Sequence, residues 1–450
     1  MTGAFHAYDI RGVYGVDFDA SVARKVGYFL PRLLDAKEVL VGRDCRLSSP
    51  EIHDALVTGI NDAGADVVDL GLCTTPMVYF ATAQYGFRAS VQITASHNSP
   101  ECNGLKISRE NALPVGLDSG LGRIRDWIEE GRPCPVAPVR GKIRSLDITD
   151  DYLQFQRRFT RDLSGIRIAF DLSNGMACLL ARKIFGDDPV YIYDDMDGSF
   201  PNHEPNPLVS SNREALCRLV EESGADVGVI FDGDADRVMF VDEKSRFVPP
   251  DLVIALMSEY FIGERGEKNP VVLQEIRSSK AVPRYLEALG ASVRTWRVGR
   301  AYAAPKLREI DGLWGGELAG HYYFKDFFYS DSGILAAQIV LGIVCALKKR
   351  GLTLSRAIDS IGKYRNSGEI NFRIERKKEA MEAVKEYFTA EERPLVTMDF
   401  DGYRIEFRHW WFNIRPSNTE PYLRFICEAD SDELLSEKVS QARRIIEEFN

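Results

Sequence analysis

The sequence predicts an α/β protein of several domains, and three observations lead to that prediction. The chain has 450 residues, which at roughly 150 residues per domain corresponds to about three domains. Short apolar runs alternate with helix-like segments over its first three quarters, a pattern typical of α/β units with largely parallel sheets. From about residue 364 the pattern changes to two or three strands and two amphipathic helices, which predicts a small α+β domain.

Three strand–helix–strand units carry the alternation. Their predicted strands lie at 37–42 and 64–71, at 166–171 and 189–193, and at 270–273 and 290–293. A weak repeat accompanies them: Gly-Ala-Asp-Val begins at Gly64 and Gly224, and Gly-Ala-Ser-Val begins at Gly290. Each copy is interpreted as a helix-terminating glycine before a buried strand. The repeat indicates related α/β domains.

Composition suggests where the domains begin and end. Residues 131–149 hold three prolines and four basic residues, as expected of a linker. Pro249 and Pro250 precede a long helical pattern, and the character of the sequence changes again near 362–368. The predicted domains are listed in order as 1–147, 148–248, 249–364 and 365–450. That is four domains, where length alone suggested three.

Composition and charge argue against several classes of protein. The chain is 45% hydrophobic and 28% charged, as in ordinary globular proteins. Its 57 basic and 67 acidic residues give a net charge of −10, which argues against a general nucleic-acid binder but not against a small anionic substrate. The longest apolar run, 333–347, is shorter than the roughly 20 residues needed to cross a bilayer. We expect no membrane-spanning segment.

The cysteines and the N-terminal residues suggest a compartment. The eight cysteines form no C-x-x-C pair, so we expect reduced thiols without a zinc site or a disulfide framework. The first residues show no basic region followed by an apolar stretch, so no signal peptide is expected. Both observations favour a cytoplasmic protein.

A serine lies in a polar loop between two predicted strands. Ser96 follows the alternating strand 89–93 and precedes the apolar run 105–107, with His97 beside it and Lys106 downstream. A loop serine with such neighbours can be a phosphoryl carrier or a nucleophile. An ordinary turn explains the composition equally well. An α/β-hydrolase serine is not expected, because the Gly-x-Ser-x-Gly motif is missing.

Three aspartates alternate in a second loop between apolar, strand-like runs. Asp232, Asp234 and Asp236 would repel one another unless a cation gathers them, and ligands that offer only oxygen favour Mg²⁺. One alternative is a solvated acidic turn. An EF-hand calcium loop is rejected, because Arg237 stands where that loop requires glycine and the flanks are strand-like.

Two further loops carry groups that could bind a phosphosugar. Glu317 and His321 lie in the glycine-bracketed loop 315–321, and a carboxylate can accept hydrogen bonds from two adjacent sugar hydroxyls. A turn with a surface glutamate fits that spacing as well. Arg415 begins a segment whose guanidinium, hydroxyl and backbone N–H groups could bind a phosphate, with Arg424 nearby; a proline-containing turn is the alternative. The four loops together predict phosphoryl transfer on a phosphosugar.

In their order and spacing these loops resemble the motifs of the α-D-phosphohexomutases, specifically the phosphomannomutase/phosphoglucomutase branch. The similar segments are Thr94-Ala-Ser-His-Asn with Asn103-Gly-Leu-Lys106, Asp232-Gly-Asp-Ala-Asp-Arg237, Gly316-Glu-Leu-Ala-Gly-His321 and Arg415-Pro-Ser-Asn-Thr-Glu-Pro421. The opening segment Ala7-Tyr-Asp-Ile-Arg11-Gly is similar too. The resemblance covers essentially the whole chain.

The resemblance implies three related α/β domains with mixed sheets plus a C-terminal α+β domain around a central cleft. In chain order, the domains carry a phosphoserine loop, a metal loop, a sugar loop and a phosphate loop. The implied reaction interconverts the 6-phosphate and 1-phosphate of mannose, glucose or both through phosphorylated Ser96 and a 1,6-bisphosphate. The implied ligands of Mg²⁺ are Ser96, through a phosphoryl oxygen, Asp232, Asp234 and Asp236. Glucose 1,6-bisphosphate or a similar compound is the expected activator.

The resemblance also implies roles for individual residues. Ser96, His97, Lys106 and Arg11 are expected to be catalytic, with Lys106 and His97 as candidates for moving the hydroxyl proton. The implied substrate-binding residues are Tyr8, Arg237, Arg277, Glu317, His321, Arg415, Ser417, Asn418, Thr419 and Arg424. The chain departs from the family at Ala319, where serine is common, and at Arg300, where histidine is common.

Two alternative functions stay open. A phosphoglucosamine mutase would share these motifs, although 320–324 looks more like the mannose/glucose branch. A non-catalytic sugar-phosphate-binding protein would be favoured if Ser96 or an aspartate of the triplet were missing, and all are present. The expected partner is a small phosphosugar. No nucleic-acid or membrane partner is expected, and the sequence leaves the oligomeric state open.

Overall fold

Four β-sheets, each built from a continuous part of the chain, form the framework of the protein. The computed structural model describes residues 3–417 and 422–450. The first three sheets mix parallel and antiparallel strands, and the fourth is antiparallel. This arrangement confirms the predicted fold class. Over the two described ranges, no helix has the length and apolar character needed to cross a membrane.

The first sheet has two central strands, Glu38–Arg43 and Ala89–Ile93, that are buried on both faces. Its strands are β1 (Ile10–Val13), β2 (Glu38–Arg43), β3 (Asp66–Leu72), β4 (Ala89–Ile93), β5 (Cys102–Arg109) and β6 (Ile143–Ser145), and its helices are α1 (Ala20–Leu34), α2 (Ser49–Asp62), α3 (Thr75–Gln84) and α4 (Leu121–Glu129). The strand order is β1-β5-β4-β2-β3-β6. Leu40 packs with residues of α3, whereas Val39 and Val41 pack with α1 and α2, because successive side chains of a strand point to opposite faces.

The predicted linker 131–149 contains a strand that the sequence did not indicate. Its strand β6 pairs in parallel with β3 at the edge of the first sheet. All three residues of β6 are exposed, so they carry no apolar alternation from which a strand could be predicted.

The second sheet has five strands. They are β7 (Ile168–Asp171), β8 (Val190–Ile192), β9 (Val227–Phe231), β10 (Val238–Asp242) and β11 (Phe247–Val248), and the helices of this domain are α5 (Thr149–Gln156), α6 (Ala181–Phe185) and α7 (Glu214–Ser223). The strand order is β11-β10-β9-β7-β8. Every residue of β9 and β10 is buried, which explains the continuous apolar runs around the aspartates.

The third sheet has the order β13-β12-β14-β15-β16. Its strands are β12 (Val271–Glu275), β13 (Ser292–Trp296), β14 (Trp314–Gly316), β15 (Tyr322–Phe324) and β16 (Ser330–Asp331), and its helices are α8 (Pro250–Leu256), α9 (Ala281–Ala288), α10 (Arg300–Glu309), α11 (Gly333–Lys349) and α12 (Leu354–Ile361). Helix α11 contains the longest apolar run of the sequence. It is almost entirely buried because it packs against β9 and β10 of the second domain.

The first three sheets share one topology. In each, a middle strand (β2, β7 or β12) pairs in parallel with two neighbours. One neighbour (β4, β9 or β14) is followed by a turn into an antiparallel strand. The shared strand order supports the inference of related domains. The short repeat is a poor guide to it, since Gly64 and Gly290 precede equivalent strands but Gly224 does not, and β13 is only half-buried.

The fourth sheet belongs to the C-terminal domain. Its strands are β17 (Arg365–Asn366), β18 (Ile370–Phe372), β19 (Val396–Met398), β20 (Tyr403–Glu406), β21 (Trp410–Pro416) and β22 (Leu423–Ala429), and its helices are α13 (Lys377–Glu391) and α14 (Asp432–Glu447). The two helices confirm the prediction. The expectation of two or three strands was too low, because β17 to β19 have only two or three residues each and are too short to show alternation.

Hydrophobic cores join the first three domains more closely than the fourth. One buried cluster includes residues from all three α/β domains, whereas the C-terminal domain has a separate cluster around Phe388, Trp410 and Phe412. The first three domains therefore form a common body, to which the fourth attaches mainly through polar contacts described below.

Candidate active site

Three of the predicted loops meet at one cleft because they hold the same position in three sheets. Each follows β4, β9 or β14 at the turn into an antiparallel strand. Ligands of open α/β sheets bind beyond the carboxyl ends of such strands. The cleft has a volume of about 1170 Å³, and all four domains line it. The predicted site residues on its surface are Tyr8, Arg11, His97, Lys106, Asp236, Arg237, Arg277, Glu317, His321 and Arg424.

Ser96 lies just behind this surface, in a strained backbone conformation. Its φ is +55°, in the left-handed region that costs a residue other than glycine roughly 1–2 kcal/mol. Its N–H donates to Oγ1 of Thr94 at 2.9 Å, and its hydroxyl donates to Oδ2 of Asp232 at 2.8 Å. The serine therefore contacts the aspartate loop of the next domain, which an isolated turn would not require.

The three aspartates are completely buried around one ammonium group. Each is 0% exposed, which excludes the solvated acidic turn. Nζ of Lys106 lies 2.6 Å from Oδ2 of Asp234 and 2.5 Å from Oδ2 of Asp236. Thr75 donates its hydroxyl to the same oxygen of Asp234. Groups from the first domain thus compensate part of the charge in the second domain's loop.

The charges in this loop shift one another's pKa. Burial, together with the charges of Asp234 and Asp236, raises the pKa of Asp232 well above its ordinary value. Burial would lower the pKa of Lys106, but the two neighbouring carboxylates raise it, so the side chain stays an ammonium group. Burial would raise the pKa of Asp236, but the ammonium group of Lys106 lowers it. The loop therefore holds more negative charge than Lys106 alone balances.

Two oxygen atoms of the aspartate loop are available to a cation. Across the described residues, Oδ1 of Asp234 and Oδ1 of Asp236 are buried and accept no hydrogen bond. One ligand oxygen from each of Asp232, Asp234 and Asp236 can be chosen so that all lie within 4.8 Å of one another. Hard carboxylate oxygens with uncompensated charge fit Mg²⁺. The residues present therefore fit the predicted metal.

The third loop buries its glutamate. Glu317 is 3% exposed, which excludes a surface glutamate in a turn, and its Oε1 accepts the hydroxyl of Tyr323 at 2.6 Å. Burial raises the pKa of Glu317. Glu275 holds the loop, because its Oε1 accepts the N–H of Leu318 at 3.0 Å while its Oε2 pairs with Arg277 at 2.8 Å.

His321 connects the third loop to the aspartate loop. It donates Nδ1–H to Oδ2 of Asp331 at 2.6 Å and accepts Nε–H of Arg237 at Nε2, 2.9 Å away. This pattern is that of a neutral ring in one tautomer. Asp331 also accepts from Nε of Arg300 at 2.9 Å, and the guanidinium of Arg300 lies over the ring of Tyr79. Arg300 is thus engaged by protein groups.

The remaining predicted residues of the first domain lie along the cleft. Arg11 pairs with Asp9 at 2.5 Å and donates to Oδ1 of Asn98 at 3.0 Å. Tyr8 donates its hydroxyl to a backbone carbonyl of the third domain at 2.9 Å. Burial, reinforced by nearby cations, lowers the pKa of His97 well below its ordinary value, so the ring is neutral.

The arginines predicted to bind phosphate are each paired with a carboxylate. Arg415 lies 3.0 Å from Asp401, and Arg424 lies 2.9 Å from Glu369. Arg277 of the third domain reaches the same Glu369 at 2.5 Å. These pairs orient the guanidinium groups, and the pair of Arg277 with Glu369 connects the third domain to the fourth.

The predicted phosphate loop is described only in part. The N–H of Ser417 donates to the carbonyl of Tyr422 at 2.8 Å. The predicted residues Asn418 and Thr419 lie outside the described residues.

The sequence pattern did not single out two residues that support these loops. Arg46, just after β2, donates to four backbone carbonyls of the loop that contains Ser96. Glu275, at the end of β12, holds the third loop as described above. Both belong to an acid-x-arginine pair, Asp44 with Arg46 and Glu275 with Arg277. That spacing after a middle strand is the signal that could have located them.

Comparison with known proteins identifies the family. Four descriptions match in succession: Phosphoglucomutase/phosphomannomutase, alpha/beta/alpha domain I, at residues 2–131, domain II at 150–245, domain III at 249–364 and the C-terminal domain at 369–445. The chain belongs to the phosphoglucomutase/phosphomannomutase family.

Individual relatives are similar over nearly their whole length. A phosphomannomutase of Methanocaldococcus jannaschii is 33% identical over 450 residues, which cover 98% of this chain and 97% of that protein. A phosphomannomutase of Salmonella typhimurium is 35% identical over 442 residues, 95% of each chain. The crystal structure of a phosphoglucomutase/phosphomannomutase family protein from Burkholderia thailandensis has a TM-score of 0.86 at 27% identity, covering 99% of this chain and 97% of that one.

The protein is accordingly a hexose phosphate mutase, an isomerase that works by phosphoryl transfer. This result confirms the predicted family and enzyme class. It favours an enzyme over the non-catalytic sugar-phosphate-binding protein that the sequence alone left open.

Binding of Mg²⁺ to the aspartate loop should stabilise the fold independently of turnover. A ligand at about 100 times its Kd adds roughly 2.7 kcal/mol to the free energy of unfolding. We therefore expect added Mg²⁺ to raise the Tm of the wild type after chelation, and to have little effect on Asp236→Asn. Thermal unfolding with and without Mg²⁺ measures this.

Asp171→Asn is the matched control for the metal experiment. Asp171 is equally buried in the second domain but pairs with His203 outside the loop. This variant should keep the Mg²⁺ shift. An equal shift in wild type and Asp236→Asn would show that the metal binds elsewhere.

Proposed function

We propose that the enzyme interconverts the 6-phosphates and 1-phosphates of mannose and glucose, with Ser96 as the phosphoryl carrier. The contact between the hydroxyl of Ser96 and the buried aspartate loop carries this proposal. It brings Ser96, a loop serine with His97 beside it, to a group of three buried carboxylates that fits a cation. Both nearby relatives described above are named phosphomannomutases, which supports the choice of sugar.

The proposed reaction has two phosphoryl transfers. In the first, the bond between Oγ of phosphorylated Ser96 and phosphorus breaks, and the free hydroxyl of a hexose monophosphate takes the phosphoryl group and releases its proton. The product is a hexose 1,6-bisphosphate. It reorients within the cleft, and its other phosphoryl group returns to Oγ of Ser96. The exchange leaves a hexose monophosphate with its phosphate at the other position.

The residues of the cleft would stabilise the group in transfer. Phosphoryl transfer is limited mainly by charge on the phosphoryl oxygens, so fixed cations are the principal requirement. Lys106 and Arg11 supply two of them within the first domain. Asp232, Asp234 and Asp236, with a phosphoryl oxygen on Ser96, would hold Mg²⁺. When bound, this ion would neutralise further negative charge.

His97 is our candidate for accepting the proton of the sugar hydroxyl. It lines the cleft next to Ser96, and its buried Nδ1 has no hydrogen-bond partner among the described residues. Lys106 suits this task less well, because its ammonium group is held by two carboxylates. Its position favours stabilising charge.

Sugar and phosphate would be bound by the third and fourth domains. Glu317 would accept hydrogen bonds from the O3 and O4 hydroxyls, which mannose and glucose share. Arg415 and Arg424, with Ser417, Asn418 and Thr419, would bind the phosphate that is not being transferred, and Arg277 would assist from the third domain. Tyr8, Arg237 and His321 would complete the sugar site. Structural relatives from Aspergillus fumigatus in complex with GlcNAc-6P and magnesium, and with glucose 1,6-bisphosphate, support a phosphosugar ligand of this fold.

Two finer assignments belong to the same proposal. Glucose 1,6-bisphosphate or a similar compound would serve as activator, because it can donate a phosphoryl group to unmodified Ser96. The enzyme would act in the cytoplasm, where thiols stay reduced, since all eight of its cysteines are free.

Replacing Ser96 should abolish both the phosphoenzyme and turnover. Loss of a nucleophile lowers kcat by a factor on the order of 10⁴ or more. Intact-mass measurement of the purified wild type should show a phosphorylated population that is missing from Ser96→Ala. The control is Ser90→Ala, which removes another buried serine of the first domain and should leave the modification in place. Near-normal turnover by Ser96→Ala would remove Ser96 from the reaction.

Glu317 should matter equally for both sugars. Glucose and mannose differ only at C2, so a carboxylate that binds O3 and O4 does not distinguish them. Glu317→Gln loses charge-assisted hydrogen bonds worth roughly 1.5–3 kcal/mol, which corresponds to about 10- to 100-fold in kcat/KM. The measurement is kcat/KM for mannose, glucose and glucosamine 1-phosphates.

Glu204→Gln serves as the control, because Glu204 lines the cleft on the second domain, away from the third loop. Glu204→Gln should leave kcat/KM for all three sugar phosphates nearly unchanged. If Glu317→Gln lost activity on only one of the two epimers, mannose or glucose phosphate, this would show that Glu317 contacts the hydroxyl at C2. A wild type that prefers glucosamine phosphate would make the enzyme a phosphoglucosamine mutase.

A further inference from the structure

The guanidinium group of Arg46 binds the loop of Ser96 at four points. Its Nη1 donates to the carbonyl of Ser99 at 2.6 Å and to that of Cys102 at 3.0 Å. Its Nη2 donates to the carbonyl of Ser96 at 2.9 Å and to that of Asn98 at 2.6 Å. One side chain therefore binds four backbone carbonyls between Ser96 and Cys102, one of which, that of Ser99, also accepts the N–H of Cys102.

Arg46 is itself fixed by its surroundings. The residue is 1% exposed, and its Nε lies 3.2 Å from Oδ2 of Asp44. The ring of Phe200, from the second domain, covers the guanidinium at 4.9 Å. The backbone of Arg46 also pairs with Gly198, where a Cβ atom would lie 2.1 Å from the carbonyl oxygen of Cys45. Arg46 is thus held between two domains and cannot follow a moving loop.

The other two α/β domains hold their loops from the same place. After β7, Ser173 donates its hydroxyl to the carbonyl of Phe231 at 2.6 Å, next to the aspartates. At the end of β12, Glu275 accepts the N–H of Leu318 in the third loop. In each domain a residue at or just after the end of the middle strand binds the loop that follows the neighbouring strand or the last residue before that loop, and Arg46 makes the most hydrogen bonds of the three.

We infer that Arg46 is a positioning residue for phosphoryl transfer: it fixes the backbone of Ser96 so that Oγ stays against the aspartate loop. The inference rests on the proposed role of Ser96. Arg46 is buried behind the loop and does not line the cleft, so it acts on the reacting atoms only through Ser96. The left-handed backbone of Ser96 needs such support, because the surrounding structure must impose a conformation that the residue does not prefer.

This role predicts a particular kinetic signature. A misplaced reacting group slows the chemical step by about 100-fold for a displacement near 1 Å. Glu317 and the phosphate-binding arginines proposed above lie in the third and fourth domains, whereas the guanidinium of Arg46 donates only to carbonyls of the first domain. Loss of the four hydrogen bonds should therefore lower kcat and the rate of Ser96 phosphorylation while KM changes little.

Arg46→Lys is the variant that tests this signature, because lysine keeps the charge but cannot bind four carbonyls through a planar fork. Arg404→Lys is the matched control. Arg404 is also 1% exposed, and it donates to two carbonyls, those of Ile276 and Ser278, on either side of Arg277. It should show the opposite pattern, a raised KM with a smaller effect on kcat.

The experiment incubates unphosphorylated enzyme with glucose 1,6-bisphosphate and Mg²⁺ and follows phosphorylation of Ser96 by intact mass. The same enzymes are characterised by steady-state kcat and KM for glucose 1-phosphate. Calorimetry measures the number of glucose 1-phosphate binding sites per protein molecule. We expect about a 100-fold slower phosphorylation and kcat in Arg46→Lys, with a full complement of binding sites. If Arg46→Lys does not fold, Asp44→Asn takes its place, because it weakens the ion pair that orients the guanidinium. This variant must then show slower phosphorylation of Ser96 and a lower kcat.

The outcomes separate this inference from the proposed function. A wild type that takes up no phosphoryl group at Ser96 overturns both. If the wild type is phosphorylated at Ser96 and Arg46→Lys is phosphorylated and turns over equally fast, the inference alone is overturned. A fall in kcat that only matches a fall in the number of binding sites also overturns it, because that would be loss of folded protein.

Discussion

The ion pair of Lys106 with Asp234 and Asp236 is the interaction on which the site depends. Three buried carboxylates in one short loop would repel each other and destabilise the second domain, and part of their charge is compensated by a residue of the first domain. The same contact brings Ser96 to Asp232. Charge compensation and catalytic geometry are therefore achieved together, and the two domains cannot separate without exposing an unpaired charge.

A single topology places the remaining groups. Because three sheets share one strand order, the loops after β4, β9 and β14 face a common cleft, and each can carry a different chemistry without a change of fold. Because these domains share a hydrophobic core, the three loops keep fixed positions relative to one another. The fourth domain has its own core and meets the third through ion pairs such as that of Arg277 with Glu369. In the proposed function Arg277 assists in binding the phosphate that is not transferred, so a bound phosphate would compete with Glu369 for this arginine.

The sequence indicated the candidate site residues better than the residues that hold them in place. Ser96, the aspartates and Glu317 stand in short motifs between apolar strands, so residue types and spacing made them candidates, and the family resemblance favoured a site over an ordinary turn. Arg46, Glu275 and Asp331 act through backbone atoms or other side chains, and such contacts form only when distant segments meet in the fold. Strand β6 and the shortest strands of the fourth sheet were missed for a different reason, since exposed or two-residue strands carry no periodic signal. Asn418 and Thr419 stay predictions.

The central claim is that Ser96 exchanges its phosphoryl group with the sugar in every catalytic cycle. Enzyme carrying a radioactive phosphoryl group on Ser96 can be mixed with unlabelled glucose 6-phosphate and quenched within a single turnover. The account predicts that the label leaves the protein at least as fast as kcat and appears in hexose bisphosphate and then in hexose monophosphate. Label that stays on Ser96 through many turnovers would contradict it.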